Sequence, residues 1–98
     1  MPTTKLSNDQ ILQTMHTSMS RSLGDVSLAG MDFFADPHIA LDNPTEYVRI
    51  MQSVLGSGAE LMLRDVIDSI YRQAGMEPVP GSSLKDCIKT VRAAKTRA

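Results

Sequence analysis

At 98 residues the chain has room for one small domain and no cleft between lobes, which excludes a two-domain enzyme. Hydrophobic residues make up 42% and charged residues 21%, a globular balance, and a formal charge of -1 gives no net field to draw in nucleic acid or an acidic membrane. Aromatics are 4%, namely Phe33, Phe34, Tyr47 and Tyr71, there is no Trp, and Met numbers seven, so the core is expected to be aliphatic and Met-rich.

The first predicted helix spans about Asn8 to Leu23. Ser7 is placed to cap it with Gln10 answering at the third helical position, Leu6 and Ile11 form a hydrophobic staple, and Gly24 is expected to supply a left-handed stop. Ile11, Leu12, Met15, Met19 and Leu23 recur at helical spacing. From Asp25 to Asn43 the pattern weakens, with Gly30 inside an apolar run that Pro37 closes; a short helix capped by Asp25 or Ser27, burying Phe33 and Phe34, is the reading, since no partner strand is visible.

Asn43, Pro44 and Glu46 then mark a second start, and apolar residues continue from Tyr47 to Ala74 before Gly75, Pro78, Pro80 and Gly81. One uninterrupted helix of that length would measure roughly 46 Å. The direction of its apolar side swings by about a third of a turn between Tyr47–Leu55 and Leu61–Ala74, and the swing falls at Gly56-Ser57-Gly58. Two glycines in a helix interior cost about 2 kcal/mol, which favours a break or kink there, with Ser57 capping a new helix and Glu60 at its third position, over a continuous bent rod. A last helix begins at Ser82 or Ser83, with Leu84, Cys87, Ile88, Val91 and Ala94 on one side. The expected fold is therefore all-α: four or five helices around a long central hydrophobic helix, broken or kinked at Gly56–Gly58, in a single domain over 1–98 whose ends, 1–6 and 96–98, fray.

The chemistry-bearing residues are few. His16 sits on the rim of the first helix, an ordinary amphipathic position. His38 joins Asp32, Asp36 and Asp42 in the one cluster of nitrogen and oxygen donors, which suggests a metal or small-ligand module, although no established ligand spacing is matched and no metal or cofactor is assigned. Cys87 lies between Lys85 and Lys89 but shares a face with Leu84, Ile88 and Val91, so a buried, inert thiol is expected. Asp65 and Asp68 fall on a polar helix face. No catalytic set emerges, and the chain is read as a non-enzyme.

Charge is unevenly spread. Five acids and no bases lie between Gly24 and Glu46, and five bases lie from residue 85 onward, so the acidic middle and the basic tail are placed to attract one another. Lys85, Lys89, Arg92, Lys95 and Arg97 also define an alternative function as a nucleic-acid-binding regulator, weakened by the lack of a nearby aromatic for base stacking. A lone cysteine speaks for no disulfide, no apolar run follows a basic start, and no stretch approaches a membrane span, which together imply a cytoplasmic protein without membrane contact.

The leading functional signal is the width of the apolar face on Leu61–Ala74, where eight apolar residues in fourteen exceed the stripe of about 100° that one core contact needs. Either the neighbouring helices cover both sides of it, or a second subunit does. On the second reading Leu61, Leu63, Ile67, Ile70 and Tyr71 bind a partner, and the chain is a small homodimeric adaptor or regulator offering a helical surface to another protein.

Overall fold

A computed structural model describes residues 4–24, 30 and 36–94. Within them the chain forms five helices and no strand: α1 (Asn8–Leu23), α2 (Pro37–Asp42), α3 (Pro44–Leu55), α4 (Gly58–Gln73) and α5 (Leu84–Ala93). The fold is all-α, as the periodicity predicts. The short helix assigned to Asp25 onward, with Phe33 and Phe34, lies outside the described residues, as do Asp32, Lys95, Arg97 and the terminal residues 96–98; Pro37, expected to close that stretch, instead opens α2.

The helix boundaries follow local chemistry. The Ser7 hydroxyl accepts from the Gln10 backbone N–H at 3.2 Å while the Gln10 side chain accepts from the Ser7 N–H at 2.8 Å, a complete capping box. Asn43 ends α2 by donating its N–H to the Ile39 carbonyl and starts α3 by accepting from the Glu46 N–H, so one residue turns the chain between two helices. The Ser83 hydroxyl caps α5 by accepting from the Asp86 N–H at 3.1 Å. At the end of α4, Gly75 has φ 73°, its N–H reaches the Arg72 carbonyl, and the Met76 N–H reaches the Tyr71 carbonyl. Those are the two bonds of a Schellman motif.

The break favoured at Gly56–Gly58 is present, and the long central helix is not: Gly56 ends α3 at φ 61° and ψ -134°, donates to the Gln52 carbonyl, and α4 restarts at Gly58. Only glycine adopts that backbone readily, and the break lets α3 and α4 pack on one another, which a single rod cannot do. Ser57 does not cap α4 with its side chain; it has helical backbone angles, and the Gly56 carbonyl accepts from the Ala59 N–H instead. Gly24 stops α1 at φ 81° and ψ 160°, a positive-φ conformation outside the left-handed helical basin.

Residues 4–6, expected to fray, are docked. The Thr4 N–H bonds to the Ala74 carbonyl at 2.8 Å, and the Leu6 N–H to the Val91 carbonyl at 3.3 Å. Leu6 is buried with Ile11, its staple partner. The rest of the core holds Met15, Met19, Met51, Met62, Val66, Ile70, Leu84, Ile88 and Val91, aliphatic and Met-rich, with the Tyr47 hydroxyl against the Met19 sulfur and the Tyr71 hydroxyl 2.7 Å from Ser82 Oγ. The radius of gyration, 12.9 Å, matches the ~13 Å of a compact chain of this length.

The helix α4 is the hub of this packing. It lies against α1, α3 and α5, while α3 also meets α2 and α5. Its polar positions and the surfaces that flank them carry the sites described next.

Candidate interaction sites on the helical core

The wide apolar face of α4 is covered largely from within. Ile70 is 0% exposed, and Tyr71, Leu63 and Ile67 are also buried, so four of the five residues expected to bind a partner belong to the intramolecular core. Contacts on three sides, from α1, α3 and α5, account for a face wider than one neighbour requires. Leu61 alone among the five projects outward, at 66% exposed. Of the face on which the homodimer expectation rests, Leu61 is thus the one residue of the five left open.

What remains open is local. Leu61, Val79 at 51% and Val54 at 45% are the large hydrophobic side chains left exposed among the described residues. Val79 stands in the wall of a groove of about 640 Å³ between α4 and the 78–82 segment. Its apolar lining is Leu63, Ile67, Pro78, Val79 and Pro80, and its rim carries Glu60, Arg64 and Asp68. Leu63 and Ile67, buried against the core, thus turn an edge toward this groove, whereas Ile70 and Tyr71 do not line it. Pro80 and Gly81, the latter at φ 76°, form a turn closed by the Ser82 N–H donating to the Val79 carbonyl at 3.2 Å, and the Tyr71–Ser82 hydrogen bond ties the end of that turn to α4.

The basic residues form a second surface. Lys85, Lys89 and Arg92 are exposed on one side of α5 and border a shallow hollow of about 370 Å³ whose remaining lining is Leu41, Pro44, Ile88 and Ala93. Arg92 donates to the Leu41 carbonyl at 3.4 Å, at the C-terminal end of α2 where a cation suits the helix dipole. The expected attraction between the acidic middle and the basic tail forms no ion pair among the described residues; Arg92 reaches a backbone carbonyl, and Glu46 pairs with Arg49 on its own helix. The hydrogen bond from Arg49 holds the Glu46 carboxyl below its usual range.

A third concavity lies between α1 and α4, which run antiparallel. It has a volume of about 500 Å³, and its lining is wholly polar: Gln10, Gln13, Thr14, Thr17 and Arg21 from α1, Ser69, Arg72 and Gln73 from α4. Nothing in the sequence draws attention to it, because Arg21 and Arg72 are 51 positions apart and each reads as an ordinary last-turn cation. Val79, between two prolines, likewise carries no periodic signal. An exposed valine held by flanking prolines is the one signal that could have marked the groove.

The remaining candidates show no convergence. His38 follows the cap of α2, where its N–H donates to the Asp36 carboxylate at 2.9 Å; Asp36 is occupied as a helix cap, and no three His, Cys, Asp or Glu side chains among the described residues gather as a metal site. His16 is exposed. Cys87 is fully buried, its thiol 3.6 Å from the Ile67 carbonyl, and burial, aided by the charge of Asp68, pushes its pKa up to about 12, which leaves no thiolate at neutral pH. Among the described residues no helix is long and apolar enough to cross a membrane.

No protein-family model, curated protein or solved structure matches the chain. Function therefore rests on the surfaces themselves.

Proposed function

We propose that the chain is a non-enzymatic helical module of the cytoplasm that works by contact with a partner protein, through the groove between α4 and the 78–82 segment. One observation supports this reading: among the described residues, Val79 is one of three large hydrophobic side chains left exposed, and it stands in the groove wall above a floor of Leu63 and Ile67. An apolar floor with a mixed-charge rim of Glu60, Arg64 and Asp68 has the anatomy of a protein interface core and rim.

The test is site-specific cross-linking from position 79 in the native host. A photo-reactive residue there is expected to capture a discrete partner, and the capture is expected to disappear in Ile67→Ala or with Arg64→Glu on the rim, under conditions where circular dichroism shows the fold intact. Capture that is indifferent to both changes, or no adduct at all, removes the proposal.

A nucleic-acid reading is favoured by one observation, the exposed row of Lys85, Lys89 and Arg92 on α5. Titration of a labelled duplex across a salt series tests it: binding should weaken with a log-log slope of about -0.9 per phosphate contact, and no binding at low salt eliminates it.

A further inference from the structure

We infer that the polar cleft between α1 and α4 binds a small oxyanion, a phosphate or carboxylate group carried on a metabolite, between the guanidinium groups of Arg21 and Arg72. The cleft has no apolar side chain and no carboxylate in its lining, and both arginines border it from opposite helices. Neither has a carboxylate within ion-pair distance among the described residues, where the pair Glu46–Arg49 is the one ion pair formed. Two cations facing one partly enclosed hollow repel each other, and an anion between them relieves that repulsion while accepting several N–H bonds from planar, pre-formed donors.

The arrangement is partly fixed before any ligand arrives. Ser69 Oγ accepts from Arg21 Nη2 at 3.5 Å and donates to Ser18 Oγ at 3.5 Å, and Ser18 is the one buried polar residue of the described chain. Ser69 and Arg72 are three residues apart on α4, neighbours on one helix side, so the serine that Arg21 reaches lies beside Arg72. Gln13, Thr17 and Gln73 add uncharged hydrogen-bonding groups around the opening. The small Ser69 side chain lines the cleft itself, and Ser18 lines the hollow that adjoins it.

The size of the anion is bounded by what lies next door. Arg21, Ser69 and Arg72 also border an adjoining hollow of about 270 Å³ that contains Asp65 and Asp68. These carboxylates would repel an extended polyanion such as a nucleic acid backbone, whereas a single phosphate or carboxylate fits on the far side of the arginines.

The experiment is a nitrogen-15 NMR titration of the full chain with inorganic phosphate and, separately, with sodium acetate, each against sodium chloride at the same ionic strength. Saturable amide shifts confined to residues 10–21 and 69–73 are expected. Arg21→Gln and Arg72→Gln should each weaken the binding by about tenfold or more, the loss of one charged hydrogen-bonding partner, while Arg49→Gln, outside the cleft, leaves it unchanged. Saturation by phosphate alone assigns a phosphate ligand, and saturation by acetate alone a carboxylate. Shifts that stay linear, that chloride reproduces, or that survive in the Arg21→Gln/Arg72→Gln double variant overturn the inference.

Discussion

Replacing Ile70 by alanine separates a residue of the intramolecular core from a residue of a subunit interface. Ile70 is 0% exposed, on the helix that packs against α1, α3 and α5, so the substitution removes fully buried methyl groups from the core. Such changes cost about 2–5 kcal/mol, and a fully enclosed position on the hub helix belongs in the upper half of that span. A domain of this length has roughly 5–15 kcal/mol in all, so the variant should retain a cooperative but much earlier urea transition. Leu61, nine residues earlier on the same helix and 66% exposed, supplies the contrast: Leu61→Ala should change stability by less than about 0.5 kcal/mol. Both are read by circular dichroism in urea, at two protein concentrations about fortyfold apart. If folding needed a second copy, mass action would raise the apparent stability of the parent chain by about 2 kcal/mol between those concentrations. The structure predicts no shift. A concentration-dependent midpoint, or an Ile70→Ala loss below about 1 kcal/mol, would refute the assignment of this face to the chain's own core.

The two glycines at the break should respond with opposite signs. A β-carbon at either meets nothing within 4 Å, so packing is not the issue; Gly56→Ala forces a side chain into φ 61° and should cost about 1–3 kcal/mol, whereas Gly58→Ala, at the first helical position of α4, should stabilise by about 0.4–1 kcal/mol, both measured by denaturant titration. Cys87 should resist a thiol-labelling reagent in the native state and react fully once unfolded. Because its pKa is raised in the folded chain to about 12, its contribution is intact below the ordinary thiol pKa near 9 and is lost as pH rises from there toward 12; Cys87→Ala should lack that component of the alkaline decline, and identical pH profiles would contradict the burial argument.

Much of the architecture was legible in the residues because it is set by short-range chemistry. Ser7 with Gln10, Asn43 with Glu46, and Ser83 with Asp86 each place a side-chain oxygen three residues before the backbone N–H it accepts from, and no distant contact is needed to make that bond. The same reasoning located the interruption at Gly56–Gly58, since a swing in apolar direction and a pair of glycines are both local facts. It misassigned Ser57, because either carbonyl or hydroxyl can satisfy the first N–H groups of a helix and the turn geometry at Gly56 chose the carbonyl.

Fold class, the starts of α1, α3 and α5, and the composition of the core were thus written in the order of the amino acids. Which apolar residues would be left over was not. Leu61 and Ile70 carry the same periodic signal, but whether a wide face is closed by three neighbouring helices or left for a partner depends on how those helices cross, a matter of contacts between residues tens of positions apart. The same holds for Arg21 and Arg72, ordinary surface cations along the chain that become two walls of one cleft only because α1 and α4 lie antiparallel with two serines between them.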